Sequence, residues 1–131
     1  MTGYANKMSH DIDPREKILA ELGDLSGLNV RLNQILVAVY LRPEKTKGGI
    51  LLPGQARDED RYQGKVGLVI KKGPLAFVNT DEWDFGKPVE TGDWVVFRPS
   101  DGWSINVNGV LCRMLVDSSV KADVESPDFV Y

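Results

Sequence analysis

The first strongly patterned stretch, Gln34-Ile35-Leu36-Val37-Ala38-Val39-Tyr40-Leu41, is apolar on both faces of an extended chain and rich in β-branched side chains. A strand buried on each side is therefore expected over 34–41, ended by Pro43. Over 65–71 a second strand places Val66, Leu68 and Ile70 on one face and Gly67 and Val69 on the other, and Gly73-Pro74 breaks it. Thr91-Gly92-Asp93 turns into a third strand over 94–98, and a turn from Pro99 to Gly102 leads into a fourth over 103–107. Asn108-Gly109 is the strongest hairpin signal in the chain and pairs 104–107 with 110–116. The tail alternates Val120, Val124 and Val130, a pattern that suits an added edge strand or a free end equally. Short strands joined by tight turns, with no helix between them, predict an all-β fold, a small antiparallel barrel or sandwich.

One helix is expected ahead of the strands. Asp13 is placed to cap it, Pro14 occupies its first position, Glu16 is the capping-box partner, and Gly23 stops it. Ile18, Leu19 and Leu22 follow at helical spacing and are the expected docking contacts. So short a helix is not stable alone and must pack, on its own domain or on a neighbouring subunit. The residues before it, 1–11, are polar and mixed and suit a flexible arm. The expected organisation is an N-terminal arm with its helix over 1–32, a β-barrel domain over 33–124 and a C-terminal tail over 125–131.

Two long excursions interrupt the strands. The stretch 44–63 is rich in Lys, Gly, Asp, Glu and Arg but holds one apolar island, Ile50-Leu51-Leu52, introduced by Gly48-Gly49 and closed by Pro53-Gly54. Loops of this length are usually functional, and an apolar patch inside one costs solubility unless a partner covers it. The second excursion, 75–89, carries Phe77, Trp83 and Phe85 among Asn, Thr and Asp. Trp94 belongs to the barrel, whereas Trp83, with Phe85, is a candidate second contact.

Composition removes most chemistry. The 131 residues are 42% hydrophobic and 27% charged, with 16 basic and 19 acidic side chains and a net charge of −3. No basic surplus favours nucleic acid. No apolar run is long enough for a membrane span, and 1–10 has no signal-peptide core. Cys112 is the only cysteine, which points to a reducing compartment. It lies mid-strand, where a small buried hydrophobe is the ordinary reading and an intermolecular disulfide in an assembled shell the alternative. His10 is the only histidine, so neither a nucleophile–histidine pair nor a histidine metal site can be built in the core. Gly48-Gly49 lacks the Lys-Ser/Thr of a phosphate loop. Arg57-Asp58-Glu59-Asp60-Arg61 and the acids Asp81, Glu82 and Asp84 read as solvated charge, not as cation or acid–base sites. No catalytic residue, metal site or cofactor is expected, and a binding or assembly protein is.

Three blocks, in order, carry a family likeness. Thr46-Lys47-Gly48-Gly49-Ile50-Leu51-Leu52-Pro53 resembles the mobile loop of the chaperonin-10 family, the GroES-like co-chaperonins. The run from Gly64 to Gly73 is similar to the strand that follows that loop. Thr91-Gly92-Asp93-Trp94-Val95-Val96-Phe97, with the run from Gly102 to Leu115, is similar to the closing strands and hairpin. The resemblance covers about 33–124. It implies a GroES-like small antiparallel β-barrel that assembles into a homo-oligomeric, seven-membered ring. It also implies a partner-binding loop, Gly48, Gly49, Ile50, Leu51, Leu52 and Pro53, whose apolar residues enter a groove on a chaperonin ring. The protein would be a cytoplasmic lid that assists folding, with ATP chemistry left to the partner. Ordering a flexible loop costs conformational entropy, so each contact is weak, and a ring of loops recovers strength through effective concentration.

The chain also departs from the family. An arm with a helix precedes the first strand, the excursion 75–89 replaces the usual roof-forming hairpin, and the tail runs past the expected end. Such additions suit a divergent, phage-encoded co-chaperonin. They equally suit a structural virion protein, a capsid decoration or linker subunit on the same barrel, whose partners would be capsid or other shell proteins.

Overall fold

The computed structural model describes residues 13–41, 65–82 and 84–129. The helix α1 (Pro14–Leu22) leads into β1 (Gln34–Val39), β2 (Val66–Lys72), β3 (Trp94–Val96), β4 (Trp103–Val107), β5 (Val110–Val116) and β6 (Ala122–Val124). Single turns of 3₁₀ helix follow β5 and β6, at Asp117–Ser119 and Pro127–Phe129. All six strands join one antiparallel sheet in the order β4-β5-β1-β2-β3-β6. The mostly β architecture expected from the alternation is therefore observed, and the tail supplies an edge strand through Ala122–Val124.

Side chains alternate across a strand, so one strand can feed two cores. From β1, Leu36, Ala38 and Tyr40 meet Val66, Leu68, Trp94, Val110 and Cys112. Ile35 and Val37 point the other way, toward Val69, Val95, Phe97 and Leu115. This is why the segment is apolar at every position from Ile35 to Tyr40, all of them buried. A register shift between Leu36 and Val37 leaves Ile70 of β2 as the extra residue, and Ile70 packs on the same cluster as Val66 and Leu68. Trp94 is buried as expected.

The N-terminal segment covers the first cluster. The Arg15 N–H donates to Asp13 Oδ1 at 3.0 Å, and the Gly23 N–H to the Leu19 carbonyl at 3.1 Å with Gly23 at a φ of 68°. Leu22 is buried, and Ile18, Leu25, Leu28 and Val30 pack beside it. The helix thus docks on its own chain. Leu19 is not part of that seam: it stands 45% exposed. At about 100° per residue Ile18 and Leu22 lie some 40° apart, and Leu19 lies about 60° beyond Leu22 on the side away from Ile18, at the solvent edge of the seam.

The hairpin closes with Val107 opposite Val110 and with Asn108 and Gly109 at φ values of 50° and 82°, the positive pair that a type I′ turn needs. Asn108 has a second role. Its Nδ2 donates to the Leu22 carbonyl at 2.6 Å, supplying one of the helix's last carbonyls with a partner.

Arg113 of β5 is buried and holds the neighbouring turn. Its Nε and Nη2 donate to the Asp101 carbonyl, Nη1 donates to Ser104 Oγ at 3.4 Å, and the guanidinium lies 6.0 Å from the centre of the Phe97 ring. The Asp101 carboxylate pairs with Arg98, whose guanidinium hydrogen bond holds it below the usual carboxylate range.

Candidate functional site

The loop residues Gly48, Gly49, Ile50, Leu51, Leu52 and Pro53, together with Trp83, lie outside the described residues. What is described is the ground on which the 42–64 segment stands. β1 and β2 are antiparallel neighbours at the centre of the sheet, with Val39 opposite Gly67. Beyond that pair the Tyr40 N–H donates to the Val66 carbonyl at 2.9 Å, and the Phe97 N–H takes the Lys65 carbonyl at 2.9 Å. The segment therefore leaves and re-enters the fold on adjacent strands.

Both roots are held by core packing. Tyr40 is 2% exposed, its ring meets Trp94 edge-on at 5.8 Å, and its hydroxyl donates to Asp128 Oδ1 at 2.9 Å. Gly67 sits where a Cβ would come 3.0 Å from the Ala38 carbonyl and 3.1 Å from both Val37 and Phe97, so any side chain there would push β1 and Phe97 apart by a few tenths of an ångström. A long excursion thus springs from rigid ground.

The 75–89 excursion is fastened differently. Phe77 is buried at a φ of 58°, a left-handed conformation that a bulky residue adopts only when its surroundings hold it there. Asp117 does this: its Oδ2 accepts from the Phe77 N–H at 3.0 Å and its Oδ1 from Asn33 Nδ2 at 3.3 Å. Phe85 packs edge-on against Phe77 at 5.8 Å, and its N–H donates to Asn79 Oδ1 at 2.7 Å. Of the two aromatics expected at a second contact, Phe85 is half-buried against its own core and lines a cleft of about 350 Å³ with Lys87, Val89 and Lys121. Asp81, Glu82 and Asp84 are exposed, as solvated charge should be.

Cys112 is fully buried, and that burial pushes its thiol up to about 11. It is a core residue, not an activated nucleophile. Among the described residues no group of three His, Cys, Asp or Glu side chains is placed to hold a metal ion. No helix among them is long and apolar enough to cross a membrane.

Asp117 and Asn108 carry the contacts that sequence reasoning missed. Their partners Phe77, Asn33 and Leu22 are far away in the chain, and no local pattern links such positions.

The geometry defines a small, mostly β fold whose 42–64 segment leaves and returns on adjacent central strands. The chain belongs to the chaperonin 10 kDa subunit family, whose profile matches residues 29–124. It is 29% identical over 101 residues to the co-chaperonin GroES of Acinetobacter baumannii, covering 77% of this chain and 99% of that protein. The co-chaperonin GroES of Clostridioides difficile is 28% identical over 93 residues, 71% of this chain and 93% of its own. That of Halothermothrix orenii is 34% identical over 84 residues, 63% and 82%. The profile begins after α1, so the helix itself lies outside the matched region.

Proposed function

We propose that this protein is a non-enzymatic co-chaperonin subunit of the cytoplasm that caps a chaperonin ring through Ile50, Leu51 and Leu52. The observation that carries this reading is the pair of adjacent, buried roots at Tyr40 and Val66, from which the Gly48-Gly49-Ile50-Leu51-Leu52-Pro53 segment extends. The family and the co-chaperonin names of its relatives supply the partner's class. On this reading residues 33–124 form the body of a homo-oligomeric ring. Each loop binds weakly because it orders on contact, and the ring multiplies the contacts.

The test is Leu51→Ser in the full chain. Burying a leucine is worth roughly 1.5–3 kcal/mol, so each loop should bind about ten-fold or more weaker. ATP-dependent capture of a chaperonin ring, read by co-sedimentation, should disappear while the variant's fold and oligomeric mass stay unchanged. Wild-type protein that ignores chaperonin rings, or that binds only assembled viral shells, overturns the proposal. So does a variant that unfolds, because the loop would then be core.

A further inference from the structure

We infer that Asn108-Gly109 is a deamidation site whose conversion unlatches the N-terminal helix. Two independent properties meet at this turn. The first is chemical lability. Asn108 is followed by a residue without a side chain, both residues are exposed, and they lie outside the strand ladder, beyond its last pair, Val107 and Val110. Nothing on Gly109 hinders attack of its backbone nitrogen on the Asn108 side-chain carbonyl.

The step balances without a co-reactant other than water. A bond forms between the Gly109 nitrogen and Asn108 Cγ, the Cγ–Nδ2 bond breaks, and the amide nitrogen leaves as ammonia with the proton released from Gly109. Water then adds to one of the two carbonyls of the cyclic imide and opens it to aspartate or isoaspartate. Nothing is oxidised or reduced.

The second property is mechanical. The nitrogen lost in that step is Nδ2, the donor to the Leu22 carbonyl at 2.6 Å. After conversion an anionic oxygen stands where the donor was and faces the carbonyl end of the helix, where partial negative charge accumulates. A hydrogen bond becomes a repulsion. If the backbone is also rerouted through isoaspartate, the turn itself is altered. The helix has nine residues and no independent stability, so losing this latch leaves it held by its Leu22 seam alone and more often open. Asn108 is a good choice for the turn because asparagine tolerates positive φ, and it is also the residue whose amide does not last.

The experiment ages the intact protein at mildly alkaline pH and maps Asn108 by peptide mass spectrometry, with hydrogen exchange of the 16–22 amides read on the same samples. The converted fraction should grow with time, and its helix amides should exchange roughly ten-fold or more faster, as expected when a donor is removed from a carbonyl that depends on it. Asn108→Asp should show that exchange from the start. Asn108→Gly, which keeps the turn and cannot deamidate, should show an intermediate rise that does not change with age. Asn108 that stays unconverted in the folded protein while an unfolded peptide of the same sequence converts overturns the inference. So does Asn108→Asp with wild-type helix exchange.

Discussion

The hydroxyl of Tyr40 donates to Oδ1 of Asp128 at 2.9 Å, joining the end of β1 to a turn 88 positions further along the chain. The same ring packs edge-on against Trp94, so the root of the 42–64 segment and the C-terminal tail share one side chain. Removing the hydroxyl alone separates the two roles. Tyr40→Phe keeps the aromatic contact and should cost about 0.5–1.5 kcal/mol in urea unfolding, with exchange rising at 126–128 and not in β1.

The docked helix gives a sharper contrast between neighbours. Leu22 is buried and Leu19 is 45% exposed, although both are leucines of one short helix. Leu22→Ala should destabilise the protein by about 2–5 kcal/mol, within the range for a buried leucine. Leu19→Ala should fall within about 0.5 kcal/mol of wild type. Equal effects in denaturant titrations would mean that the helix seats differently.

Asp117 is the fastening of the second excursion. Asp117→Ala strands the Phe77 N–H and the Asn33 amide, and a buried donor without a partner costs about 1–3 kcal/mol. The loss should appear as a lower melting temperature. It should come with faster exchange over 75–82, because Phe77 loses the acceptor that holds its left-handed backbone.

Cys112 sets an alkaline limit. Its folded thiol titrates at about 11 against an ordinary 9.0, because burial disfavours the thiolate. Between these values the unfolded chain loses the proton first. The stabilising contribution is therefore fully present below pH 9.0 and lost as pH rises toward 11. Cys112→Ala should flatten the fall in stability across that window. A thiol reagent at neutral pH should label the wild type only after denaturant is added.

Much of this arrangement was legible in the sequence because it is local. The hairpin follows from Asn108-Gly109 and the bounds of its two strands, and the helix from Asp13, Pro14 and Gly23. The double burial of β1 follows from an unbroken apolar run. The exposure of Leu19 is not legible, because Ile18, Leu19 and Leu22 all fall at helical spacing and the surface they meet decides which face inward. Asp117 looks like an ordinary charged residue at a strand end. Its role needs Asn33 and Phe77, brought to it by the pairing of β1 with β5 and by the turn after β2. The roots of the 42–64 segment were legible as strand ends, but their rigidity rests on Tyr40, Trp94 and Asp128, which only the folded sheet assembles.

The corner held by Arg113 owes nothing to a carboxylate, unlike the fastenings made by Asp117 and Asp128. A guanidinium keeps its proton at any pH a protein survives, and its partners here are a carbonyl oxygen, a hydroxyl and an aromatic face, none of which titrates in the working range. Alkali can reach the buried thiol of Cys112, one residue away, but it does not touch this clamp. The entry to β4 should therefore keep its hydrogen bonds to Arg113 across the alkaline range in which Cys112 titrates, with the 98–104 turn still in place.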